Sequence, residues 1–289
     1  MLGAIIGDMV GSVYEFRPIK RKDFDMLNVN AKMTDDSYLT IAVAKTLMKH
    51  YPIKYDEESI KAIQKDLAEE FANTFFAHRY AGFGMLFAKW CLACRNSGKI
   101  APAYNSYGNG SAMRISPVGW MASSEDEVKK LSKIVTEITH NHPEGLKGAE
   151  AVAMCIYLAR TGHSKEEIKE RIIKDYYPEI ATLDFDELVR TYKFNASCQK
   201  SVPQAIYCFL ISKSLPDAIR NCIAIGGDSD TQACIAGSIA EAYYQKDNLS
   251  NFESEYMYFM FSIETETLIK DFHELLKTGK IIKGKLRWM

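Results

Sequence analysis

Gly226-Gly227-Asp228-Ser229-Asp230-Thr231 holds two glycines, two carboxylates one residue apart and a hydroxyl. Ala233, Ile235, Ala236, Ile239, Ala240 and Tyr243 follow, small and apolar at helical spacing. The stretch therefore reads as a loop feeding a helix that runs to about Tyr244. Two readings of it are open. Asp228 can cap the helix after a glycine turn, a device worth ~1 kcal/mol. A cap needs no second Asp and no Thr beside it, and those extra oxygens suit a hard cation. A second stretch of the same type, Thr34-Asp35-Asp36-Ser37, also opens a helix.

Working outward, the rest of the chain repeats the helical pattern. Residues 2–15 read as a first helix whose glycines at 3, 7 and 11 line one face and admit a close neighbour. Residues 17–32 read as a long loop. Thr34 opens a helix that ends near His50-Tyr51-Pro52, and Glu57–Phe76 and Gly84–Cys94 are the next two. A loop over Ala101–Ser111 leads into a helix reaching about Met121, with a break at Pro117. Ser124–Thr139 follows, with Ser124 and Glu127 spaced as a capping box. Helices are then expected over Glu144–Arg160, Ser164–Tyr176, Asp184–Tyr192, Val202–Ser212, Leu215–Ile225 and Phe252–Lys277. Period-2 alternation is almost absent. The expected fold is all-α, one domain over residues 1–289, with many helices around a Gly/Ala-rich centre.

Bulk properties narrow the function. The 289 residues are 47% hydrophobic, enough for a sizeable core, and the net charge is −1. A balanced charge argues against general nucleic-acid binding, which needs clustered cations. No apolar run is long enough to span a bilayer, so no membrane association is expected. Seven cysteines without framework spacing fit a reducing cytoplasm, and the N-terminal stretch does not read as a signal peptide. Cys91 and Cys94 read as ordinary helix residues. The expected form is a monomer.

Asp35, Asp36, Asp228 and Asp230 are short carboxylates at helix starts, flanked by Thr34, Ser37 and Thr231. Brought together, they would crowd four negative charges that protons or cations must neutralise. Oxygen ligands without His or Cys select Mg²⁺ or Mn²⁺, with Ca²⁺ open. Four carboxylates suffice for two ions. Tyr107-Gly108-Asn109-Gly110-Ser111-Ala112-Met113-Arg114 has another character: its Gly and Asn residues let backbone N–H groups face an anion at an apparent helix start. A plain glycine turn with Arg114 pairing an acidic group is the other reading. His140-Asn141-His142 can cap a helix or contact a ligand. Glu15 can be a solvated helix-end charge or a catalytic acid. Phe16 or Phe83 can stack on a base or pack in the core.

Taken in order, these stretches resemble the ADP-ribosylglycohydrolase family. The matching stretches are Gly3–Asp8, Thr34–Ser37, Tyr80–Gly84, Gly108–Arg114, Thr139–Pro143 and Gly226–Thr231. The resemblance implies an orthogonal multi-helix bundle and a centre of two Mg²⁺ (or Mn²⁺). It carries over Thr34, Asp35, Asp36, Asp228, Asp230 and Thr231 as metal ligands. Gly108, Asn109, Gly110, Ser111 and Met113, with Phe83, become candidate substrate contacts, and His142 a contact near the ribose. Ser37 stands where the pattern has a second Thr. Glu15 and Asp36 are the catalytic candidates. The implied partner is ADP-ribose on a protein or a small molecule, in arginine/guanidine or serine linkage, and the implied reaction is hydrolysis at C1″. Two rivals remain open: an ADP-ribose-binding module without turnover, and another two-metal hydrolase.

Overall fold

A computed structural model describes residues 1–244 and 251–280 of the chain. Its helices are α1 (Leu2–Gly11), α2 (Asp35–Lys49), α3 (Glu57–Ala77), α4 (Met85–Ser97), α5 (Ser116–Met121), α6 (Glu125–Thr136) and α7 (Pro143–Arg160). Then come α8 (Lys165–Asp175), α9 (Phe185–Thr191), α10 (Cys198–Leu210), α11 (Leu215–Ile225), α12 (Ser229–Tyr244), α13 (Asn251–Met260) and α14 (Ile263–Thr278). No strand occurs among the described residues, and the fold is all-α. No helix there is long and apolar enough to cross a membrane. The expected domain over 1–289 also takes in residues 245–250 and 281–289, which lie outside the described residues.

The centre is the α1–α12 pair. All of α1 is buried, and α12 is buried as far as Ala242. The glycine face of α1 explains how close they come. A Cβ on Gly7 would lie 2.0 Å from the Ala233 carbonyl oxygen, and one on Gly3 would lie 2.3 Å from that of Gly237. Any side chain there would force the helices apart. Glu241 closes one end, accepting from the backbone N–H groups of Leu2 (3.1 Å) and Gly3 (2.9 Å). Around the pair pack α2, α5, α7, α10 and α11, with α3, α4 and α6 outside them.

Two expected boundaries shift for local reasons. The first helix stops at Gly11, not at residue 15. Ser12 Oγ turns back to the Met9 carbonyl (2.8 Å) and Tyr14 N–H to that of Gly11 (2.8 Å), so the chain turns. Glu15 thus sits in a turn after the helix. The expected helix through Pro117 instead divides into a 3-10 turn over Asn109–Ser111 and α5, with Pro117 in its first turn. Proline has no N–H, and a first turn needs none. Cys91 and Cys94 are buried on α4 as packing residues.

Candidate active site

Asp8 is the one charged residue of α1, and the sequence reading gave it no role. It is fully buried. Its Oδ2 accepts from the backbone N–H groups of Thr34 (2.9 Å) and Ser37 (3.1 Å), and its Oδ1 from Thr34 Oγ1 (2.6 Å). Ser37 Oγ donates to it as well. Asp8 therefore satisfies, from outside, the N–H groups of the α2 cap residue Thr34 and of Ser37 in its first turn. Thr34 caps the same helix, accepting from Asp36 N–H at 3.3 Å. The clue available in the sequence was a carboxylate in a helix otherwise of Gly and apolar residues, a charge that needs partners.

The α12 start is brought opposite. Gly226 and Gly227 have φ of +70° and +87°, which only glycine adopts cheaply. Gln232 Nε2 ties the turn through the carbonyls of Gly226 (2.9 Å) and Asp228 (3.1 Å). The Asp228 carboxylate accepts from Asn109 Nδ2 at 2.7 Å. Because α1 and α12 nearly touch, Asp8, Asp36 and Asp230 can place one oxygen each within 4.8 Å of one another. Glu15, Asp228 and Asp230 can do the same. Asp230 belongs to both groups.

These carboxylates lie at a cavity of about 420 Å³ whose lining includes Glu15, Asp35, Asp36, Asp228, Asp230 and Thr231. Burial, then mutual repulsion, pushes Asp35, Asp36 and Asp230 well above the usual carboxylate range. Asp8 and Asp228 are pushed up to about 6, mainly by burial. Glu15, half-buried beside Asp230, is pushed up to about 8 by burial and by Asp230. Asp36 Oδ1 is buried without a hydrogen-bond partner. A crowd of carboxylates, one oxygen of which has no donor, is a group that could hold hard cations.

The opposite wall holds Gly108, Asn109, Gly110, Met113, Arg114, Tyr104 and His140. Gly108 and Asn109 do not offer free N–H groups: they donate to Ser106 Oγ (3.0 Å) and to the Ala196 carbonyl (2.8 Å). Nor does this loop start an α-helix, since Asn109–Ser111 is a single 3-10 turn. Ser111 is fully buried, donating to the Gly145 carbonyl at 2.8 Å. Arg114 is buried and donates to Thr139 Oγ1 (2.6 Å), with its guanidinium 4.6 Å from the Phe71 ring centre. Its Nε and Nη1 have no partner, and burial pushes its pKa down to about 10.

Four sequence candidates, His142, Phe83, Thr34 and Ser111, are not among the lining residues. His142 caps α7, accepting from Glu144 N–H at 3.1 Å, and its ring meets Tyr107 edge-on. It is His140 that lines the cavity, held by Thr139 Oγ1 at 2.9 Å. Burial and Arg114 push the His140 pKa well down, so it is neutral. Phe83 stacks on Phe87 (5.6 Å) and meets Phe75, packing against the core, while Gly82 and Gly84 face the cavity. Thr34 is buried and donates to Asp8 Oδ1 at 2.6 Å. Phe194, unassigned by the sequence, lines the cavity and stacks on Phe16.

The model of the ADP-ribosylglycohydrolase family matches residues 1–259. The chain is 26% identical to ADP-ribosylhydrolase ARH3 of Gallus gallus, covering 95% of this chain and 92% of that protein. It is 27% identical to the Homo sapiens ARH3, over 86% and 85%. ADP-ribosylarginine hydrolase Tri1 of Pseudomonas putida is 23% identical, over 84% of this chain and 69% of that one. A solved ADP-ribosylglycohydrolase-related protein complex has the same fold, with a TM-score of 0.69 at 19% identity over 95% of this chain and 97% of the other. A family match that runs from the Asp8 helix past both acidic helix starts is decisive: the chain belongs to the ADP-ribosylglycohydrolase family.

Proposed function

We propose that the protein is a metal-dependent hydrolase. It cleaves the bond between C1″ of ADP-ribose and an acceptor, in arginine/guanidine or serine linkage, and so reverses ADP-ribosylation. One observation carries the reading: two carboxylate groups share Asp230, and the one that includes Glu15 opens onto the same cavity as Asp36. The ADP-ribosylhydrolase relatives support the same chemistry.

The residues fit two Mg²⁺ or Mn²⁺. The donors are all oxygen, and Asp36 Oδ1 lacks any protein partner. Thr34, Asp35, Asp36, Asp228, Asp230 and Thr231 would hold the ions, with Asp8 and Glu15 beside them. Such ions neutralise the carboxylates, polarise ribose oxygens and lower the pKa of water. Asn109 keeps Asp228 oriented by its 2.7 Å hydrogen bond. Gly108, Gly110 and Met113 present a wall for the ADP-ribose. The diphosphate lies on that wall, away from the acidic floor. Glu15 handles the proton, giving it to the leaving acceptor or taking it from water. Burial and Asp230 raise its pKa, which favours the protonated form that can donate to a leaving group. Asp36 adds negative charge close to the oxocarbenium-like transition state.

The test is incubation of the pure protein with ADP-ribosyl-arginine and ADP-ribosyl-serine peptides, with Mg²⁺, Mn²⁺ or EDTA. Free ADP-ribose that disappears with EDTA is the expected product. No release from any acceptor overturns the reading, and free phosphate in its place points to another two-metal hydrolase.

A further inference from the structure

The turn that carries Glu15 leaves the core at Gly11, and its next residue, Phe16, is 80% exposed. Exposed aromatics of this size gain little from burial. Phe16 is nonetheless not loose. Its ring stacks on Phe194, centroids 6.3 Å apart and planes 25° apart, and Phe194 is itself 52% exposed. A second grip joins the same two segments. Lys20 Nζ donates to the Tyr192 carbonyl at 2.8 Å and to the Ile225 carbonyl at 2.5 Å. Lys20 holds φ of +52°, a left-handed conformation that surrounding contacts must sustain.

The platform under Phe194 is firmly built. Asn195 Oδ1 accepts from Ser197 N–H (3.0 Å) and Ser197 Oγ (2.7 Å), a local turn of the Asx type. Ser197 pairs with Gly108, and Asn109 N–H donates to the Ala196 carbonyl. The segment after α9 is therefore joined to the wall that holds Asp228 through Asn109. From there the stack of Phe194, a lining residue of the cavity, on Phe16 reaches the residue beside Glu15.

We propose that Phe194 is a positioning residue: by stacking on Phe16 it holds the Glu15 turn so that the Glu15 carboxylate meets Asp230. The proposal rests on the proton-handling role assigned to Glu15. It explains an exposed aromatic pair that core packing does not. A 1 Å displacement of a catalytic group costs up to about 100-fold in rate, so a modest release of the turn has a large readout.

The experiment compares Phe194→Ala, Phe194→Tyr and Glu15→Gln, with Phe194→Ala also placed in the Glu15→Gln background. Phe194→Ala should lower kcat roughly ten-fold, within that range for misplaced groups, while KM, ADP-ribose affinity and Tm stay near wild type. Phe194→Tyr should restore kcat, and Phe194→Ala should add no further loss to Glu15→Gln. Independently of turnover, amide hydrogen exchange at residues 12–17 should speed up in Phe194→Ala and not in Phe194→Tyr. Unchanged exchange overturns the proposal. So does unchanged kcat in Phe194→Ala, or a fall in ADP-ribose affinity that matches the fall in kcat, which would make Phe194 a ligand contact. Full activity in Glu15→Gln overturns both the role of Glu15 and this proposal. A Glu15→Gln variant that is inactive while Phe194→Ala is normal overturns the positioning alone.

Discussion

The floor and the rim of the cavity are built by different means. The floor group, Asp8, Asp36, Asp228 and Asp230, is almost wholly buried on α1, on α2 and at the start of α12, and α1 and α12 pack backbone to backbone. Their place follows from the packing of α1, α2 and α12. On the rim, Glu15 sits in a turn, Gly108–Ser111 in a loop and Phe194 after α9, each held by contacts from distant segments. A floor made by packing leaves a periodic trace in the sequence. A rim made by cross-chain contacts leaves almost none.

The strongest way to break this contrast is at Gly7. A methyl there would sit 2.0 Å from a backbone oxygen of α12 and 2.4 Å from its carbon, with no flexible side chain to give way. Gly7→Ala should cost about 3 kcal/mol or more, the upper range of overpacking, and carry the metal site with it. Thermal unfolding should show a drop of at least about 6 °C at ~2–4 °C per kcal/mol, or no folded protein. Gly84→Ala is the control, because nothing lies within 4 Å of that position. Equal Tm values for the two would mean that the α1–α12 approach does not organise the floor.

The next largest effect belongs to Asp230, shared by both carboxylate groups. Asp230→Asn should lower Mn²⁺ affinity, read by calorimetry, and cut turnover about 100-fold or more, the scale of losing a preorganised charge. Without metal, the same variant should be more stable than wild type, because one repelling charge is gone. A loss of helical circular dichroism would instead make this carboxylate structural.

Acidity sharpens the point further. Asp8 and Asp228 have folded pKa values of about 6, above an ordinary value of 3.8. Between about pH 4 and 6 the folded protein keeps protons that the unfolded chain has released. Their stabilisation is complete below about pH 4 and is lost as the pH rises through 6, with Glu15 extending the loss to about 8. Glu241 works in the opposite sense. Burial opposes its charge, but the Met1 amine and His273 hold it at about 2, so its contribution is already complete above about pH 5. In EDTA, Tm should therefore be higher at pH 5.5 than at pH 8, by several degrees. Excess Mn²⁺ should shrink the difference by neutralising the same oxygens. A Tm that rises with pH in EDTA would remove the repulsion from the account.

Most of the helices and four of the five carboxylates on the cavity wall were legible as helix starts, because apolar spacing behind Thr34 and behind Gly227 announces an N-terminus; the fifth, Glu15, was legible only as the end of a first helix that stops instead at Gly11. Asp8 was harder, because it opens no helix of its own. It caps α2 from a helix that lies 26 residues earlier in the chain. The Gly108 loop was misread as a helix start because glycine, asparagine and serine signal turns of many kinds. Which kind it is was decided by the Ala196 carbonyl and by Ser106, neither visible as a pattern. Phe16 and Phe194 were beyond reach, since two aromatics far apart in sequence carry no sign of stacking.

The smallest expected effect separates two histidines that the sequence could not rank. His142 accepts the Glu144 N–H at the start of α7, so its ring does the work of a cap. His142→Ala should cost about 1 kcal/mol, as caps do. ADP-ribose affinity should then fall little, since neither His142 nor the Tyr107 ring it meets lines the cavity. His140 is buried and neutral on the cavity wall, and its ring lies 3.3 Å from where a Cβ on Gly110 would be. His140→Ala leaves a hole under the loop that faces the substrate, so its affinity loss should exceed that of His142→Ala. Calorimetry with ADP-ribose on both variants decides between them. A larger loss at His142 would return the ligand contact to the cap, and would show that this residue answers to the substrate as well as to the helix it starts.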